Sequence, residues 1–110
     1  MIMTREEFQE LLDEQNECIK CEEADGLLVV INNLIINKPF SKPLPSNLVR
    51  IGGSVRGELH PQPQLQSIGG SVRGELHPQP QLQSIGGGVR GEAILHPQPQ
   101  LQSIGGGLGG

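Results

Sequence analysis

IGGSVRGELHPQPQLQS (residues 51–67) recurs unchanged at 68–84 and returns, two residues longer, as IGGGVRGEAILHPQPQLQS at 85–103. A truncated IGGGLGG follows at 104–110. A fixed 17-residue period is the signature of a stacked array, in which each copy is one structural unit. Within the first copy Val55, Gly57 and Leu59 alternate with Arg56, Glu58 and His60, the period-two pattern of a half-buried strand. The longer copy sets Val89, Gly91, Ala93 and Leu95 against Arg90, Glu92, Ile94 and His96. An insertion of two keeps the inward side inward, whereas an insertion of one would invert every later residue. Gly52-Gly53 offers a turn, and Pro61 and Pro63 a stiff extended corner.

Each rung then presents four inward aliphatics, here Ile51, Val55, Leu59 and Leu65, with Ile68 opening the next. Four such side chains do not offset the entropy of ordering a whole repeat, so stability must come from hydrogen bonding between stacked rungs. The predicted fold is therefore mainly β: a short β-solenoid of 17-residue repeats with an N-terminal α-helical cap. The alternative is a small α+β head with a disordered repeat tail, because glycine and proline supply 21 of the 60 residues from 51 to 110.

The rest of the chain is consistent with one small domain. It has 110 residues, 2% aromatics and 35% hydrophobic residues, which excludes a large conventional core. The net charge of −4 is unevenly spread. Residues 1–25 hold nine acids against Arg5 and Lys20, a balance of −7, and residues 26–110 carry +3. So small a positive balance, with no aromatics for base stacking, argues against nucleic-acid binding. The longest apolar run, Leu27 to Ile31, is far short of the ~20 residues of a membrane-spanning helix. The acidic start lacks the apolar segment of a secretory signal, so a cytoplasmic location is expected.

Residues 1–17 read as an acidic capping helix. Thr4 and Glu7 have capping-box spacing, Met3 is placed to pack on Phe8, and Glu6 and Glu7 suit the positive end of the helix dipole. Phe8, Leu11 and Leu12 form one narrow apolar stripe that needs a surface to dock on. Residues 18–50 read as a strand-rich head with a connector. Two β-branched runs flank Asn32-Asn33, which suits either a hairpin or the corner of a solenoid coil. KPFSKPLPSN (38–47) follows as a proline-rich turn or extended connector. Cys18 and Cys21 form a lone C-x-x-C without a second pair for zinc or a βαβ pattern for redox work, so two reduced thiols are expected.

LPSNLVRIGGSV (44–55) and the recurring LQSIGGSV and LQSIGGGV resemble leucine-rich-repeat-type modules of phage and bacterial repeat proteins. They also resemble the L-x-x-I-x-G-x-L pattern of receptor L domains. The chain departs from these modules in its shorter period, its lack of an asparagine ladder and its HPQPQ stretch. The resemblance implies a non-enzymatic β-solenoid.

No nucleophile–base–orienter set and no phosphate loop is present, so neither enzymatic activity nor a cofactor is predicted. The expected function is protein–protein interaction through the exposed strand face. That face comprises Arg56, Glu58, His60, Arg73, Glu75, His77, Arg90, Glu92 and His96. Identical copies suit extended or multivalent contact. Self-association through an uncapped C-terminal repeat is a second partner expectation. If the repeats are instead a flexible tail, its HPQ tripeptides, which resemble streptavidin-binding peptides, would act as multivalent ligands. A third reading is a metal-binding scaffold. Stacking at ~4.8 Å would align His60, His77 and His96 in a ladder that loses stability as the pH falls through ~6.5.

Overall fold

The structure of the chain, a computed structural model, describes residues 2–89, 94–95 and 98–105. It is a β-solenoid of about four turns behind one short helix, the first of the two expected architectures.

Helix α1 (Arg5–Asp13) begins as its sequence requires. The Glu7 N–H donates to Thr4 Oγ1, and the Thr4 N–H donates to the Glu7 carboxylate, closing the capping box. Its Phe8, Leu11 and Leu12 stripe is buried in the same apolar cluster that runs through the solenoid as far as Val89. The helix is shorter than the expected span. Residues 14–19 leave it through bonds from Gln15 and Asn16 N–H to Leu12 C=O, and from Ile19 N–H to Asn16 C=O.

Strand β1 (Cys21–Ala24) pairs antiparallel with β2 (Leu27–Val30) across Asp25-Gly26. Both turn residues have positive φ, +53° and +79°, the backbone that Asp-Gly tolerates best. Asn32-Asn33 then makes a solenoid corner, since β3 (Leu34–Ile35) lies in a different sheet from β2. From this point every turn adds one strand to each of two sheets.

The six-stranded sheet continues from β2 through β4 (Leu48–Ile51), β6 (Ser67–Ile68), β8 (Ser84–Ile85) and β11 (Ser103–Ile104), all parallel. The second sheet stacks β3, β5 (Val55–Leu59) and β7 (Ser71–Leu76) in parallel. Beyond β7 this sheet is completed by two short pieces, β9 (Gly88–Val89) and β10 (Ile94–Leu95).

Residues meet their own copies across the turns. Val55 pairs with Val72, Arg56 with Arg73, Gly57 with Gly74, Glu58 with Glu75 and Leu59 with Leu76. After the insertion Leu95 regains register with Leu76, just as Val89 is in register with Val72, so the two extra residues keep the strand in phase. Ile51, Val55, Leu59 and Leu65 are all completely buried, as are Val72, Leu76 and Leu82 one rung on. Gly57 and Gly74 have φ of +101° and +114°, and a Cβ at Gly74 would overlap the Gly57 carbonyl below it. Only glycine lets the rungs close up here.

The proline corners reveal a ladder that the sequence reading did not anticipate. Pro61 and Pro63 have no N–H to offer the next rung, and the glutamine between them compensates. The Gln79 side chain accepts from the Gln62 N–H at 2.7 Å and donates to the carbonyls of His60 and His77 at 3.0 and 2.9 Å. Gln98 repeats the pattern, accepting from the Gln79 N–H at 2.7 Å and donating to the His77 carbonyl at 3.0 Å. Gln62 and Gln79 are correspondingly buried. This glutamine ladder links successive proline corners. It also ties the first two HPQ stretches to the wall through their buried glutamines, Gln62 and Gln79.

Candidate functional site

Strand phase decides what faces outward. In β5 and β7, Val55, Leu59, Val72 and Leu76 point into the core, which turns Arg56, Glu58, Arg73 and Glu75 to solvent. His60 and His77 follow on the same side, at 70% and 24% side-chain exposure. The structure therefore brings six of the predicted interaction residues into three short rows, with arginine over arginine, glutamate over glutamate and histidine over histidine. Arg90, Glu92 and His96 lie outside the described residues. The outward positions of the six-stranded sheet are plainer: Ser67, Ser84 and Ser103 stack beyond Arg50.

The histidine row is real over its described part. The His60 and His77 rings stack with centroids 5.0 Å apart and planes 8° from parallel. The carboxylate that accompanies them was not foreseen. Glu58 lies two residues before His60 on the same strand face, and its carboxylate bonds His77 of the next rung at 2.6 Å. It also lies 3.8 Å from His60 Nε2, and Glu75 lies 3.8 Å from His77 Nε2. The hydrogen bond with His77, reinforced by the nearby His60, holds the Glu58 carboxyl below the usual carboxylate range. The Glu58 carboxylate thus faces both rings of the stack. The signal for the pairing was the E-x-H spacing (Glu58-Leu59-His60), repeated at Glu75-Leu76-His77.

Beside these rows opens a cleft of about 760 Å³. One wall is the proline-rich connector, with Ile36, Lys38, Phe40 and Lys42. The other is the first repeat corner, with Glu58, His60, Pro61 and Pro63. The sequence marks the proline-rich stretch as a turn or extended connector. In the structure it is pinned by the residues just past α1: Glu14 accepts from the Ser41 N–H and hydroxyl, and Gln15 accepts from the Asn37 N–H. Those Ser41 bonds hold the Glu14 carboxyl below its ordinary value.

The two cysteines do not form a paired site: Cys18 is exposed and Cys21 is buried, both as free thiols. Burial pushes the Cys21 thiol up, away from the reactive thiolate. Among the described residues no helix is long and apolar enough to cross a membrane. Every buried side-chain nitrogen and oxygen of the described residues has a hydrogen-bond partner. No protein-family model, no curated protein and no solved structure matches the chain.

Proposed function

We propose that the protein is a non-enzymatic repeat module that binds a protein partner through the outward face of the β5–β7 sheet. The observation that carries this reading is the register, which stacks Arg56 on Arg73 and Glu58 on Glu75 in two rows of opposite charge. Ordered, like-charged rows side by side suit a partner with acidic groups opposite the arginines and basic groups opposite the glutamates. The adjoining cleft adds apolar surface and Lys38 and Lys42 at one end of the same face. The resemblance to leucine-rich-repeat-type modules supports the same reading, as does a reducing, cytoplasmic setting for the free thiols Cys18 and Cys21.

The test is affinity capture with the full chain, the double variant Arg56→Glu/Arg73→Glu, and Lys20→Glu on the cap as a charge control. Wild type and the control should retain a salt-sensitive partner that the double variant loses while keeping its β-type circular dichroism. A partner held equally by the double variant would rule this face out.

A further inference from the structure

We infer that Glu58, His60 and His77 form a binding site for a divalent transition-metal ion of the zinc class. Their donor atoms, two imidazole nitrogens and a carboxylate oxygen, all lie within 4.8 Å of one another. The cluster follows directly from the fold. Period-two alternation puts Glu58 and His60 on one face of the strand and its extension, and the 17-residue register delivers His77 beside them from the next rung. Both histidines turn Nε2 toward the same carboxylate, at 2.6 and 3.8 Å.

The donor chemistry selects the class of ion. Two neutral imidazoles with one carboxylate is a set that zinc accepts, at about 2.0–2.2 Å per bond, whereas calcium and magnesium prefer oxygen-only ligands. Drawing the three donors onto one ion requires only side-chain movement, and His60, 70% exposed, is free to turn. Three protein ligands leave a coordination position for water or a ligand atom. Glu58 and His60 also line the 760 Å³ cleft, so the ion would sit in the wall of that cleft. A bridge between β5 and β7 would also clamp two successive rungs together.

Equilibrium dialysis of the full chain against Zn²⁺, followed by elemental analysis, tests the site with the metal alone. Wild type should retain zinc, and the Cys18→Ser/Cys21→Ser variant should retain it equally. His60→Ala and His77→Ala should each weaken binding at least about tenfold, and Glu58→Gln by about 10–100-fold. Zinc should also raise the melting temperature of wild type but not of His77→Ala, a readout confined to a folded site. Three results would overturn the assignment: no zinc retained by wild type, full retention by His77→Ala, or loss in the cysteine variant. Because the binding is read with the metal alone, it fails or succeeds independently of any protein partner.

Discussion

The N-terminal 50 residues and the repeats pair their backbone polar groups in different ways. In the head, each bond is made once, by a side chain chosen for that spot. Gln9 donates to the Ile19 carbonyl and accepts from the Cys21 N–H, and Asn32 does the same between Cys18 and Lys20. Asn47 bridges Met3 and Gly26. In the repeats one bond is made many times by translation. Gly69 N–H reaches Ile51 C=O, Gly86 reaches Ile68 and Gly105 reaches Ile85, each at 2.7 Å. The head can end the array because its contacts are unlike those of the repeats: α1 and β1 turn exposed acids, among them Glu6, Glu10, Glu22 and Glu23, to the outside. A repeat protein needs such an end, since a bare rung would leave its backbone donors and acceptors open.

That contrast predicts where substitutions hurt. Leu76→Ala removes a fully buried side chain from the middle of the array, with a rung on either side, and should cost about 2–5 kcal/mol in chemical denaturation. A loss below 1 kcal/mol would mean that the repeats do not share a packed core. Gln79→Leu should cost about 2 kcal/mol, because it strands the Gln62 N–H and removes one of the two amide donors that reach each of the His60 and His77 carbonyls. The exposed Gln66→Leu is its control and should be nearly silent. Thr4→Ala should cost about 1 kcal/mol and act on the cap alone, seen as faster amide exchange in α1 with the repeats unchanged.

Acid should act on the head more gently. Glu7, bonded by Thr4, and Glu14, bonded by Ser41, both have carboxyls held below their ordinary value of 4.5. A lowered native value favours folding above the unfolded value, and that contribution disappears as the pH falls through the native one. The helix and the connector should therefore loosen below about pH 4.5, seen as faster amide exchange in α1. Exchange in α1 that does not quicken below that pH would show that these two bonds do not hold the cap.

Much of the architecture is legible in residue order. The period, the Val55–Leu59 alternation and the even insertion before Leu95 all encode strands stacked in phase, and Thr4–Glu7 encodes the start of the helix. Other features depend on what the next rung supplies. Gln62 and Gln79 are polar and flanked by prolines, so nothing local marks them as buried. Their role appears only when Pro61 and Pro63 are seen to leave the wall short of donors. The Glu58–His77 pair likewise joins residues 19 positions apart through the register of two strands. Asp25-Gly26 was a readable turn signal, hidden among the acids of the first segment. The connector's part in the cleft depends on Glu14 and Gln15 reaching it from just past the end of α1.

Hydrogen–deuterium exchange across residues 51–105 tests the solenoid most directly. If the rungs are bonded to one another, the amides of Gln66, Gly69, Gln83 and Gly86 stay protected for minutes or longer, since each donates to the preceding rung at 2.7–2.8 Å. Complete exchange of those amides within seconds would contradict the stacked array, leaving an ordered head attached to an unstructured repeat chain.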